Sequence, residues 1–263
     1  MTLGDKYYKK LFYAYAEDIE TGNPLYILTQ LSDLTIDITA DSTEVTDKDG
    51  NLVDKVYKSK TGTLSATNAF VNMNIIAAAS GNTPVFGESG SKIVVPKMLT
   101  VKAGTKVDVE GAVDGSIKVI GYYPSGSIET KKLFTKDVSA STTAFSVDTG
   151  SHTLELPTDP DFEEYFVRYE KEIEKGVIIT NSAKSFPESC RLIIKAGYAD
   201  PCKKNTIKSD YIELPSFKIS PETSLPISVD TQTMDFSGDL EVDYCGTDKV
   251  LYKVYDADEV DGE

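Results

Sequence analysis

Residues 34–81 read LTIDITADSTEVTDKDGNLVDKVYKSKTGTLSATNAFVNMNIIAAASG, and this stretch decides the architecture. Leu34, Ile36, Ile38 and Ala40 alternate with Thr35, Asp37, Thr39 and Asp41, the period-2 signature of a strand with one buried face. Lys48-Asp49-Gly50 predicts a hairpin loop, with Gly50 supplying the left-handed conformation at the third position. With Asp47 opposite Asn51, counting back along the strands sets Val45 against Val53 and Leu34 against Leu64. Those pairs fall on opposite parities, so the apolar face changes sides between base and tip. Two structures produce such a switch: an arm that leaves the body to pack on another surface, or a local bulge around Ala40–Ser42. In the first case Val45, Leu52, Val53, Val56 and Tyr57 are the residues an assembly partner would cover.

The hairpin feeds into an apolar helix. Thr67 or Asn68 can cap it, and Phe70, Val71, Met73, Ile75 and Ile76, with Ala77 and Ala78, give it a wide apolar face. Gly81 is placed to end it as a left-handed C-cap. So few polar residues predict a well-buried helix, against a sheet or a neighbouring subunit.

Upstream, residues 1–10 predict a loose arm, and Leu11–Glu17 and Leu25–Gln30 predict strands joined across Thr21-Gly22-Asn23-Pro24. Downstream, residues 81–91 predict a Gly/Ser/Pro-rich loop. Short strands then recur at Lys92–Val95, Met98–Val101, Lys106–Val109, Ser116–Tyr122, Lys131–Thr135, Thr143–Asp148, Thr153–Leu156, Tyr165–Ile173, Val177–Thr180 and Arg191–Ala196. A last group comes at Thr206–Leu214, Leu225–Ser228, Met234–Tyr244 and Lys249–Tyr255. Turn-punctuated spacing of this kind predicts a mainly β sandwich or barrel and not alternating β/α units. Residues 256–263 (DADEVDGE) predict a frayed acidic tail.

The chain of 263 residues carries 42 acidic against 27 basic side chains, a net charge of −15 that argues against an electrostatic grip on nucleic acid or anionic membrane. There is no run of eighteen apolar residues for a membrane span and no signal-peptide pattern at the N-terminus. Three cysteines, Cys190, Cys202 and Cys245, are an odd number without CxxC spacing. Synthesis in a reducing cytoplasm with free thiols is the simpler expectation, a Cys190–Cys202 bridge the alternative.

Chemistry finds little support. A hydrolase triad would need His152, the sole histidine, which follows the turn at Asp148–Ser151 beside Ser151; sequence adjacency is no evidence of a nucleophile–base pair. The cysteines and His152 match no zinc spacing. Asp47-Lys48-Asp49-Gly50-Asn51 resembles part of a calcium loop, yet Gly50 comes three residues after Asp47 where five are required. Gly87–Lys92 precedes a strand and not a helix, so it predicts a loop, not a phosphate cradle. Glu163-Glu164 and Glu170 with Glu172 could serve a glycosidase, but alternation through Tyr165–Ile173 explains the latter pair as a solvated strand face, and sugar sites want Trp platforms that this chain lacks. No catalytic residue, metal or cofactor is expected.

The order of elements resembles the tail tube (major tail) proteins of tailed bacteriophages: an N-terminal arm, an early strand pair, a long hairpin, one buried helix, then β. The residues carrying the likeness are Leu31–Ile38, Lys60–Ser65 and the helix, then Lys184–Ser189, Leu214–Lys218 and Thr233–Gly238. It implies a β core from 1–95 and 176–255, with 96–175 as an added β module. It also implies a homo-oligomeric ring, hexameric in that family, whose sheets join edge to edge and whose hairpins stack rings into a tube conducting DNA. Other tail proteins would be partners, the virion tail the location and the host cytoplasm the site of synthesis. Asp37 and Asp41, alternating with the buried face, are the candidate channel-facing acids. The competing readings are an immunoglobulin-like adhesion or decoration module that binds a glycan or protein, and a carbohydrate-active β-sandwich.

Overall fold

A computed structural model describes residues 5–122, 132–229, 232–242, 244 and 248–260. Lys131, Cys245 and residues 261–263, placed above in a strand, among the thiols and in the acidic tail, lie outside that set. The chain is mainly β and forms two compact units, Met1–Thr83 with Ile179–Glu263, and Pro84–Ile178.

The first unit opens with β1 (Tyr7–Asp18), β2 (Pro24–Leu28), β3 (Leu31–Thr46), β4 (Leu52–Asn68) and α1 (Met73–Ser80). Tyr7–Lys10 are thus strand and not loose arm, because they pair with Ala199–Gly197 across the sheet. The helix begins later than its apolar pattern suggests. β4 runs on through Asn68, which pairs with both Met234 and Leu31, so the cap falls to Asn72, whose side chain accepts from the Asn74 amide at 2.9 Å. Gly81, at φ 65°, ends the helix as expected.

The second unit carries β5 (Val85–Gly87), β6 (Ile93–Lys102), β7 (Lys106–Asp108), β8 (Lys118–Tyr122), β9 (Lys132–Asp137), β10 (Ala144–Asp148), β11 (Thr153–Glu155), β12 (Glu164–Ile173) and β13 (Gly176–Ile178). Seven form one sheet in the order β6-β12-β8-β9-β10-β11-β7, and each contributes to one core, so the sheet must curl round it. Phe134, Phe162 and Tyr165 meet at its centre with ring centroids 5.6–6.1 Å apart. Pro96 lies inside β6, joining two segments expected to be separate; β6 is an edge strand, where a missing N–H costs no ladder bond. Val85–Gly87, within the expected loop, pairs with β13.

The chain re-enters the first unit with β14 (Cys190–Asp200), β15 (Lys203–Ile219), β16 (Met234–Leu240) and β17 (Lys253–Val260). The sheet runs β2-β1-β14-β15-β16-β4-β3, with β17 also on β15, and is nearly a closed barrel. Ala14, Ala16, Leu64, Leu192, Ile194, Leu214, Phe217, Met234 and Phe236 fill it, with Ile75 and Ala79 of α1. Gly238 sits where a Cβ would meet the Phe217 ring at 2.4 Å, so the ring closes over bare backbone. The stretch expected to fray is strand as far as Val260.

One polar cluster ties both termini to β15. Asp210 is wholly buried; Lys6 Nζ lies 2.7 and 2.8 Å from its oxygens and Tyr8 donates to it at 2.7 Å. Lys6 also reaches Asp256 at 3.2 Å, and Tyr198 donates to Asp256 at 2.8 Å. Burial, and then the hydrogen bond to Asp210, push the Tyr8 phenol well above its usual range. Asp210→Asn removes the nearer of the two carboxylates that face Lys6 and should cost about 2 kcal/mol in urea unfolding, because the ammonium is left with only the more exposed Asp256.

Candidate functional site

Two surfaces stand out, both built by the β3–β4 hairpin. The first is the arm. Every residue from Asp37 to Thr61 is exposed, so neither face of the hairpin is covered by the rest of the described chain. The tip has the expected form: the Asp47 amide donates to the Asn51 carbonyl at 2.9 Å and Gly50 has φ 84°. Asp47 accepts from the Asp49 and Asn51 amides at 2.9 and 2.8 Å and from the Asn51 side chain at 2.9 Å. The Asn51 side-chain bond, followed by its backbone bond, holds the Asp47 carboxyl below the usual carboxylate range.

The register differs from simple counting. Val45 pairs with Asp54 and not Val53, and Leu34 pairs with Ala66 while Leu64 pairs with Ile36. The cause is three irregularities, at Leu31/Asp33, Ala40/Ser42 and Val45/Thr46, each of which offsets the ladder. The bulge expected around Ala40–Ser42 is present, and it lies within a hairpin exposed from 37 to 61. Val45 opposite Asp54 and Val56 opposite Thr43 share one face; Tyr57 opposite Ser42 takes the other. The exposures of Val45, Leu52, Val53, Val56 and Tyr57 run from 46% to 66%.

The second surface is the outer face of β3, β4 and β16. Register places its side chains in cross-strand rows: Asp33, Thr67 and Asp235; Thr35, Ser65 and Ser237; Asp37, Thr63 and Asp239; then Thr39 and Thr61. Alternate residues Leu34, Ile36, Leu64, Ala66, Met234 and Phe236 face the core. The outer rows hold only carboxylates and short hydroxyls, linked by Thr39 to Thr61 at 2.9 Å and Thr67 to Asp235 at 3.2 Å. Lys218, across from Asp239 on β15, stands at the margin. Asp37 belongs to this face. Asp41 is exposed but lies in the bulge, outside the rows. Asp235 and Asp239 were missed above, although alternation in Met234-Asp235-Phe236-Ser237-Gly238-Asp239-Leu240 carries their signal.

Of the helix residues, Ile75 is buried and Val71 and Ile76 pack partly against the core, whereas Phe70 and Met73 are 65% and 50% exposed. Phe70 precedes the helix, which separates it from the buried face. Among the described residues no helix is long and apolar enough to cross a membrane.

The first unit thus combines an exposed β arm with a barrel-like core. A model of the YomU/Tube protein family matches residues 9–249. The chain belongs to that family. Membership accords with the tail tube resemblance of the hairpin, helix and β order, and the family name points to a phage tube-like structural protein of the virion tail. No curated protein matches the chain.

The geometry of the tip makes a prediction. A lowered carboxyl contributes its hydrogen bonds fully above the unfolded value, near pH ~4, and loses them as pH falls through the folded value. NMR should therefore show Asn51 side-chain and amide shifts constant at neutral pH and titrating only in acid, with the core unchanged. Asp47→Ala should produce the acid-state shifts at neutral pH.

Proposed function

We propose that copies of this chain assemble into hexameric rings, stacked by the hairpin arm into a tube through which DNA passes. The observation that carries the proposal is the arm: residues 37–61 expose apolar side chains on both faces of a protruding two-stranded ribbon. Two strands alone are marginal in water, so the ribbon needs a further surface. A neighbouring copy supplies one, and assembly into a ring gives the exposed sheet edges a place to be covered.

The hydroxyl-and-carboxylate face suits the inside of such a tube. Duplex DNA bears one charge per about 1.7 Å, so a cation on the wall would bind phosphate and stall passage. Asp33, Asp37, Asp235 and Asp239 repel it, while the short Ser and Thr side chains give a smooth surface with nothing to stack on bases. The chain works as a wall and performs no reaction, in association with other tail proteins.

Purified protein seeded with tail fragments should elongate into tubes visible by negative-stain microscopy. Val53→Asp/Tyr57→Asp should leave a folded monomer that does not elongate. Protein that stays monomeric with seeds present would refute the proposal. Tubes of Asp37→Lys/Asp235→Lys/Asp239→Lys should retain DNA in sedimentation at low salt, where wild-type tubes release it.

A further inference from the structure

The barrel-like sheet has a gap, and the gap is a lined cavity. β2 follows β1 only between Ala14 and Glu17; from Leu31 the chain runs with β4 instead. The wedge between the start of β3 and the N-terminal half of β1 is a cavity of about 620 Å³. Leu11, Leu34, Ile36 and Ile212 line it and are only partly buried, and Lys10 belongs to the same lining. β3 pairs with β4 alone, so its second edge has no ladder partner among the described residues.

Another part of the chain complements this groove. Residues 221–229, between β15 and β16, lie outside every sheet. Leu225, Ile227 and Val229 alternate there and are 54%, 86% and 102% exposed. In an extended conformation their alternation sets the three side chains on one face, and all three are exposed. Pro226 falls on the other parity. Lacking an N–H, it spoils one edge of such a strand and leaves complete the edge formed by Leu225, Ile227 and Val229. A strand of this kind can add to one sheet edge but cannot template another. The sequence has no Lys or Arg between Lys218 and Lys249 and Glu222 flanks the segment, while Lys9 and Lys10 line the groove on the β1 side and Asp33 on the β3 side.

We infer that residues 224–229 of one copy add as a strand to the free edge of β3 in a second copy. Leu225, Ile227 and Val229 then cover the apolar lining of the cavity. This contact is separate from the hairpin arm, and it rests on the tube reading only in requiring that copies of the chain meet.

A fluorescent peptide of residues 220–229 tests it without any tube. The receptor is the full chain carrying Leu225→Asp/Ile227→Asp, so that no resident segment competes. The peptide should bind, and should slow hydrogen exchange at Asp33–Ile36. The same two substitutions in the peptide should weaken binding about a hundredfold, a factor of about ten for each aliphatic side chain kept out of the groove. In the full chain they lie on exposed surface and should leave the melting temperature unchanged while slowing seeded elongation. Absence of peptide binding, or protection at a site other than β3, overturns the inference even if tubes form. Peptide seated at β3 in a chain that never elongates supports the inference and counts against the tube reading alone.

Discussion

The structure depends on a β-ribbon that the rest of the described chain does not cover. Two paired strands satisfy half of their backbone groups and can bury nothing by themselves, so an isolated hairpin of this length gains little from folding. Here the ribbon is anchored at its base by the body sheet: β4 continues unbroken into pairing with β16, and Gly62 to Asn68 alternate into the core. The anchored half makes the free half possible. Burial stops at Ile36 and resumes at Gly62, and the bulge at Ala40/Ser42 offsets the ladder a few residues further out, within the exposed half.

That anchoring also explains why the hydroxyl-and-carboxylate face is so uniform. β3, β4 and β16 each alternate an apolar residue into the core with a short polar one outward, and pleating aligns the outward residues in rows. Like charges directly opposite would destabilise the sheet. The rows instead place a Thr between the carboxylates of Asp33 and Asp235, and another between those of Asp37 and Asp239. The Thr spacers let three strands carry a dense negative surface without setting two carboxylates side by side.

The core of the first unit is completed at its margins by elements brought together from the ends of the chain. Asp210 on β15 draws in Lys6 and Tyr8 from one terminus, while Lys6 and Tyr198 engage Asp256 from the other. A fully buried carboxylate is tolerated because an ammonium and a phenol both point at it. Where the sheet lacks such closure, between β1 and β3, it leaves a groove and an open edge.

Sequence alone determined whatever depends on neighbours a few residues apart. Alternation made the β class, the hairpin and its acidic outer face legible, and Asp47, Gly50 and Asn51 specified the tip through contacts within five residues. Gly81 specified the helix end for the same reason, since only a left-handed residue fits there. Tertiary structure decided what depends on pairing across the chain. Asn68 looked like a helix cap and is strand, because Met234 and Leu31 hold it from both sides. Register slipped wherever a bulge intervened, since a one-residue offset leaves the pattern of each strand intact. Leu225–Ser228 reads as a strand by composition but lies outside the sheets, because a strand is completed by a partner edge and local sequence cannot say whether its own chain supplies one.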